Sequence, residues 1–195
     1  MEPINILTAL GVFLSMAANW SGTKKGLKTS ITKVQERPDS FLQKLPPNVS
    51  VIILLFIFFG IFNIGVLPTE IKNNYNNLRI GGLIIFYLFS WLQVVSFRSL
   101  GSFYTQEIVI LKRHELCTSG IYKTIRHPQY LSQILSDLGA GIALMSYLVI
   151  PLTLLAELPL FIMRAKLEEK LLSKHFNEKY NLYKKQSGFF IPFIG

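Results

Sequence analysis

An apolar run in the first third of the chain limits what the protein can fold into. Residues 49–67 are almost all Val, Ile, Leu and Phe, and Pro68 follows them. As a helix, a run of about 18 or more apolar residues is long enough to cross a bilayer. Half of the 195 residues are hydrophobic and only 16% are charged, which is too apolar for an ordinary soluble domain of this size. The chain is therefore predicted to be an integral, multi-pass membrane protein.

Further apolar stretches extend this prediction to an all-α fold with five transmembrane helices in one domain, residues 1–195. The predicted spans are residues 3–20, 49–67, 80–97, 130–147 and 148–163. The first lacks the positive residues that begin a signal peptide, so an uncleaved span is expected. The last two have no charged connector and predict a tight hairpin. Asp137 and Glu157 interrupt them and are expected to face the bundle interior, because a carboxylate facing lipid is costly.

The basic residues predict the orientation of these spans. Alternate gaps place 18 of the 20 Lys and Arg on one side, which the positive-inside rule assigns to the cytoplasm. Residues 22–47 then form a basic cytoplasmic loop, and the N-terminus lies outside. Residues 164–186 repeat apolar side chains at helical spacing between lysines, which predicts an amphipathic helix on the cytoplasmic membrane face. The net charge of +9 is therefore assigned to the membrane surface and not to a nucleic acid.

A polar stretch between the third and fourth spans, residues 112–130, is where chemistry is expected. It holds two of the three histidines and the single cysteine, Cys117. One cysteine excludes an intramolecular disulfide and a CxxC pair. Two isolated histidines are a weak metal signal. No metal site is predicted.

Two pairs of residues leave a functional and a structural interpretation open. Pro128 suits the first turn of a helix, and the free N–H groups there, beside Arg126, suit a carboxylate. An equally weighted interpretation is a basic membrane anchor followed by a helix-start proline. Arg164 and Glu168 share one helix face. They form either an interfacial ion pair or a substrate-facing guanidinium beside a carboxylate.

The order of several short motifs resembles the isoprenylcysteine carboxyl methyltransferase family and its relatives among phospholipid methyltransferases. The motifs are His114-x-Leu116, Gly120-Ile121-Tyr122, Arg126-His127-Pro128-x-Tyr130, Arg164-x-x-x-Glu168-Glu169 and Phe176-x-x-x-Tyr180-x-x-Tyr183. The resemblance covers roughly residues 107–192, and the first three spans match only in hydropathy. Cys117 and Glu107 stand where members often have valine and glutamine.

The resemblance implies a membrane methyltransferase that uses S-adenosyl-L-methionine from the cytosol and a lipid-bearing or prenylated acceptor from the bilayer. The cofactor region would comprise residues 107–130 and 164–192. The cofactor contacts it implies are His114, Glu115, Leu116, Cys117, Tyr122, His127, Pro128, Gln129, Tyr130 and Glu168. Arg164 would face the acceptor, and Arg164 and Glu168 would be the catalytic residues.

The expected reaction is carboxyl O-methylation of a prenylated cysteine. A carboxylate acceptor needs no general base, only a group such as Arg164 to hold it in line. Methylation of a phospholipid amine or a small thiol is the alternative, with Glu168 as the candidate base for an amine. Two more distant alternatives are a sterol-type membrane reductase that uses NADPH and a membrane protein without enzymatic activity.

Overall fold

The computed structural model is mainly helical. It describes the backbone of residues 2–32 and 34–195 and the side chains of residues 2–20, 34–101 and 103–195. The helices are α1 (Pro3–Thr32), α2 (Leu45–Ile61), α3 (Thr69–Asn73), α4 (Asn76–Leu100), α5 (Pro128–Leu144), α6 (Val149–Leu152), α7 (Leu158–Phe176) and α8 (Glu178–Gln186). The predicted helical character is confirmed.

Within the described residues, three helical segments are long and apolar enough to cross a membrane. They are Pro3–Trp20, Phe41–Ile61 and Asn76–Leu100, and they overlap the first three predicted spans. The predicted end of the second span at residue 67 is wrong. Helix α2 stops at Ile61 because the chain turns through Asn63 and Gly65, which have φ angles of 64° and 73°.

The last two predicted spans form the predicted hairpin. Helix α5 ends at Leu144, and the hydroxyl of Ser146 accepts hydrogen bonds from the backbone N–H groups of Leu148 and Val149. A π-helical turn, Thr153–Glu157, joins α6 to α7, and α7 continues well past residue 163. Helix α5 has 17 residues and is about 25 Å long, slightly less than a hydrocarbon core of about 30 Å. The count of five spans stays a prediction.

Close packing of α4 against α5 forms the centre of the bundle. A Cβ at Gly82 would lie 2.6 Å from the Ala143 nitrogen, and a Cβ at Gly139 would lie 2.5 Å from the Phe86 nitrogen. Only glycine permits this approach. The predicted close helix contact is confirmed at Gly82, whereas Gly81 borders open space. Apolar side chains of α2 complete the core, among them Ile53, Ile57 and Ile61.

The region between the first two spans differs from the predicted loop 22–47. Helix α1 extends to Thr32, so the start of that segment is helical. The side chains of Lys24, Lys25 and Lys28 and all of Lys33 lie outside the described residues. Strand β1 (Val34–Glu36) pairs antiparallel with β2 (Ile110–Leu111), Val34 opposite Leu111. A purely α-helical fold is therefore wrong in this detail, because strands this short leave no sequence period. The ribbon ties the first loop to the polar central stretch.

The C-terminal segment turns back onto the start of α5. A continuous helix over residues 164–186 is interrupted at Asn177, which has a φ of 48° between α7 and α8. The Arg126 N–H donates to the Gly188 carbonyl at 2.8 Å, and the His127 N–H donates to the Phe189 carbonyl at 3.3 Å. Residues distant in sequence therefore enclose the Arg126-His127-Pro128 motif. The placement of the tail on the membrane surface stays a prediction.

Candidate active site

One end of the bundle encloses a cavity of about 700 Å³. Its walls are the first turns of α2, the last turns of α4, the start of α5, the middle of α7, two tyrosines of α8 and the segment 103–117. Pockets that hold drug-sized ligands occupy about 300–1,000 Å³. The cavity is therefore large enough for a sizeable ligand.

Most of the residues predicted for the site line this cavity. They are His114, Glu115, Leu116, Cys117, Tyr122, His127, Gln129, Tyr130, Arg164 and Glu168. Pro128 is the exception: it is the first residue of α5 and is buried, where its missing N–H costs nothing. The structure thus brings the polar stretch and α7 together as expected, while the roles of the individual residues stay predictions.

Tyr130 joins the two predicted catalytic residues. Its hydroxyl donates to Glu168 Oε2 at 2.8 Å and accepts from Arg164 Nε at 3.2 Å. The ring of Tyr130 also stacks on His127 and Phe161. Arg164 and Glu168, expected either as an ion pair or as separate functional groups, are thus connected through a tyrosine hydroxyl.

The guanidinium of Arg164 is largely occupied by backbone carbonyls. Its Nη1 donates to the carbonyls of Leu42 and Gln43, the latter at 3.0 Å, and its Nη2 donates to the carbonyl of Gln106 at 2.6 Å. A guanidinium has five N–H donors, and Nε uses one more on Tyr130. One N–H of Nη2 has no acceptor among the described residues. Arg164 therefore fastens α7 to two loops and keeps a single donor for a ligand.

Arg126 binds a carboxylate that belongs to the chain itself. Its Nε lies 2.6 Å from Glu169 Oε1, and its Nη groups donate to the carbonyls of Lys184, Ser187 and Gly195. His127 Nε2 is 3.3 Å from the same Glu169 oxygen. Burial raises the pKa of Glu169, but hydrogen bonds from His127, Arg126 and Lys184 outweigh it and lower the pKa to about 2. The external carboxylate site considered for Arg126 is thus filled by Glu169.

His114 is held as a neutral hydrogen-bond donor at the cavity wall. Its Nδ1 accepts from the Leu111 N–H at 3.3 Å, which leaves the proton on Nε2. Burial lowers the His114 pKa. Its ring is packed between Phe103 and Phe176.

Tyr180 supplies an unpaired polar group in the same cavity. The residue is 1% exposed, and its hydroxyl has no hydrogen-bond partner among the described residues. Burial raises the pKa of Tyr180, so the hydroxyl keeps its proton. A buried hydroxyl without a partner costs about 1–3 kcal/mol. A ligand in the cavity would remove that cost. The nearby Tyr183 hydroxyl is already bound to the Tyr122 carbonyl at 2.7 Å.

The two carboxyl groups that were expected in the bundle interior lie next to the cavity residues Ser50 and Gln133. Asp137 and Glu157 are 6% and 0% exposed, and their carboxyl groups lie close to each other. Ser50 donates to Glu157 Oε1 at 2.6 Å, and Gln133 donates to Asp137 Oδ2 at 2.8 Å. Their predicted interior position is confirmed.

Several cavity residues were not predicted from the sequence. They include Gln43, Lys44, Asn48, Ser50, Gln93, Tyr104, Gln106 and Gln133. Gln93 and Gln133 lie inside predicted spans, where a polar side chain normally faces the protein interior; that signal could have found them. Gln43 fixes the wall by pairing with the backbone of Ile108 through both ends of its amide, at 2.9 Å each. No local pattern marks this contact between residues 65 positions apart.

Comparisons with known proteins indicate one family. Residues 82–174 match the family model of the Isoprenylcysteine carboxyl methyltransferase (ICMT) family. The "Protein-S-isoprenylcysteine O-methyltransferase" of Tribolium castaneum is 38% identical over 81 residues, 42% of this chain and 29% of that protein. The protein of the same name from Saccharomyces cerevisiae is 27% identical over 115 residues, 58% of this chain and 48% of that protein. The chain thus spans less than half of either relative.

A solved structure has the same fold. It is described as "the eukaryotic intramembrane Ras methyltransferase ICMT (isoprenylcysteine carboxyl methyltransferase) without a monobody". The TM-score is 0.67 at 24% identity, and the likeness covers all of this chain and 69% of that one. In sequence over residues 82–174 and in fold over its whole length, the chain is similar to the isoprenylcysteine carboxyl methyltransferase family, which confirms the resemblance predicted from the motifs.

Proposed function

We propose that the chain is a membrane methyltransferase that transfers a methyl group from S-adenosyl-L-methionine to the carboxylate of a prenylated cysteine. The observation that carries the proposal is the large cavity in which the family motifs, α7 and the first loop converge. The similarity to two proteins named Protein-S-isoprenylcysteine O-methyltransferase supports the reaction class. The whole chain acts as one domain.

The methyl donor fits the part of the cavity formed by residues 107–130 and 164–192. His114, Glu115, Leu116 and Cys117 would hold it through their loop, together with Tyr122, His127, Gln129, Tyr130 and Glu168, whereas the buried Pro128 would only start the helix behind them. The unpaired Tyr180 hydroxyl and the Nε2–H of His114 are donors suited to its polar groups. The Glu168 carboxylate suits its positive charges.

Methyl transfer to a carboxylate needs no general base. An acceptor carboxylate oxygen forms a C–O bond to the sulfonium methyl carbon, the C–S bond breaks, and its electron pair stays on sulfur, so no proton moves. The bound donor supplies the activated methyl group. Arg164 and Glu168 act by placing the two reactants in line. Arg164 offers its remaining Nη2–H to the carboxylate, and Glu168 is held by the Tyr130 hydroxyl.

The acceptor enters from the bilayer while the active site faces the cytoplasm. Five spans, with the C-terminal helices on the cytoplasmic membrane face, suit this arrangement, and the 18 basic residues on one side support the orientation. Single cysteines at positions 28 and 76, in a Cys117→Ser background, test it with an impermeant label on intact cells. Position 76 should react and position 28 should not. The reverse pattern contradicts the orientation.

A phospholipid amine or small-thiol acceptor is the second candidate. It is favoured by the polar character of the inner cavity wall, to which Asn48, Ser50, Gln93 and Gln133 contribute. A hydrocarbon tail gains nothing from these groups, whereas a polar headgroup can hydrogen bond to them. For an amine, Glu168 is the candidate base.

Labelled S-adenosyl-L-methionine tests the proposal directly. Membranes containing the protein are incubated with N-acetyl-S-farnesylcysteine, phosphatidylethanolamine or a small thiol, and the product is analysed. The proposal expects label in a base-labile methyl ester of the farnesylcysteine. Label only in the amine or thiol product favours the second candidate. Absence of label in all three products, with the protein folded, contradicts a methyltransferase acting on these classes.

A further inference from the structure

Four cationic side chains line the cavity, and their partners differ. Arg37 pairs with Glu107 at 2.7 Å, Arg126 pairs with Glu169 at 2.6 Å, and Arg164 donates to three carbonyls and to Tyr130. Lys44 also lines the cavity and is exposed, and its ammonium has no hydrogen-bond or ion-pair partner among the described residues. Lys44 is therefore a cavity cation whose ammonium no described side chain pairs with.

Arg164 alone cannot grip a carboxylate through two parallel bonds. That grip needs two N–H donors on one edge of the guanidinium, and the carbonyls of Leu42, Gln43 and Gln106 occupy both Nη groups. Releasing one of them would leave a buried or partly buried carbonyl without its donor, which is costly. One carboxylate oxygen can bind the remaining Nη2–H. The other oxygen needs a donor from elsewhere.

Lys44 is in the right place to be that donor. The Gln43 carbonyl accepts from Arg164 Nη1 at 3.0 Å, and its carbon is bonded directly to the Lys44 nitrogen. The Lys44 backbone nitrogen therefore lies within a few ångström of the Arg164 guanidinium, and Lys44 lines the same cavity. Pro46 and Pro47 lack N–H groups, so the first turn of α2 offers few backbone donors that could replace it.

We propose that Lys44 and the free N–H of Arg164 together hold the acceptor carboxylate, one oxygen each. The inference rests on the proposed function and makes Lys44 a binding residue for the acceptor, whereas the methyl donor does not contact it. Lys44 lies outside residues 82–174, so it extends the site beyond the part of the chain that the family model matches. Selectivity for an acid over its ester then depends on the first loop.

The test compares one acceptor with and without its negative charge. Binding of N-acetyl-S-farnesylcysteine and of its methyl ester is titrated with the wild-type protein and with Lys44→Gln, Lys44→Arg and Lys179→Gln. Lys179 is an exposed lysine that does not line the cavity and serves as the control. Lys44→Gln should weaken binding of the acid about tenfold, the loss of one charge-assisted bond, and leave the ester unchanged. Lys44→Arg should bind the acid nearly as the wild type does.

Two results overturn the inference. Equal weakening of acid and ester in Lys44→Gln would make Lys44 an anchor for the loop, and unchanged binding of both would remove it from the site. Binding of S-adenosyl-L-methionine, titrated in parallel, should be the same in all four proteins. Because these are binding measurements, they are read independently of turnover, whereas a wild-type protein that binds the acid without methylating it would contradict the proposed function alone.

Discussion

At the end of the bundle away from the cavity, Lys72 and Arg79 are fully buried and each lies 2.6 Å from an oxygen of Glu2. At the cavity end, Arg164 is equally buried but is surrounded by backbone carbonyls and a tyrosine hydroxyl. A carboxylate cancels charge, whereas carbonyl dipoles only solvate it. The first arrangement closes an end of the bundle, and the second leaves positive potential for an anionic ligand.

The closed end also bears on orientation. Lys72 and Arg79 are the two basic residues on the side predicted to face outward. The predicted orientation depends on how few Lys and Arg lie on that side, and the ion pairs with Glu2 do not change this count, because acidic residues contribute little to the rule.

The largest loss of stability is expected from removing the Glu2 carboxylate at the closed end of the bundle. Glu2→Gln leaves two buried cations without their carboxylate, and breaking such a pair costs about 3–5 kcal/mol. Thermal or denaturant unfolding in detergent measures the loss, with Glu70→Gln, an exposed carboxylate on α3, as the control. Ligand binding by the protein that remains folded should be unchanged. Equal stability of the two variants would show that Glu2 does not neutralise the closed end.

A smaller effect is expected in the middle of the bundle. Glu157→Leu removes the partner of Asp137 and of Ser50, and an unsatisfied buried polar group costs about 1–3 kcal/mol. Removing both carboxyls, in Asp137→Leu/Glu157→Leu, should cost less than the sum of the two single changes. Thr153→Val is the control, because the buried Thr153 hydroxyl has no hydrogen-bond partner within the part of the chain that the structure describes. Two single substitutions that alter neither stability nor activity would remove any role for the pair.

The smallest effect is expected in the pH dependence of stability, through Glu169 at the cavity end. The pKa of Glu169 is lowered to about 2 from 4.5, so its stabilising contribution is complete above about pH 4.5 and is lost as pH falls towards 2. Between about pH 4.5 and pH 2, the free energy of unfolding should therefore fall less for Glu169→Gln than for the wild type. Each protein is compared with its own value at neutral pH. A parallel acid dependence of the two proteins contradicts the buried contact among Glu169, Arg126 and His127.

The sequence predicted what local patterns encode. Long apolar runs located the first three spans, and the order of short motifs located most of the cavity wall, from His114 to Tyr130 and at Arg164 and Glu168. Long-range contacts were not predictable: the pairing of Gln43 with Ile108, the Glu169 carboxylate on Arg126, and the carbonyls on Arg164 join residues 40 or more positions apart. Turn residues with positive φ, Asn63 and Asn177, ended helices where hydropathy and periodicity continue.

Equilibrium titration with S-adenosyl-L-methionine tests the central claim, that one cavity holds the methyl donor on the motif side and the acceptor on the Arg164 side. Wild-type protein should bind the donor, and Tyr130→Ala should bind it about tenfold more weakly, since Glu168 loses the hydroxyl that holds it. Arg164→Ala should bind the donor nearly as the wild type does while losing most methyl transfer. Loss of donor binding in Arg164→Ala, or wild-type affinity in Tyr130→Ala, would contradict this division of the cavity.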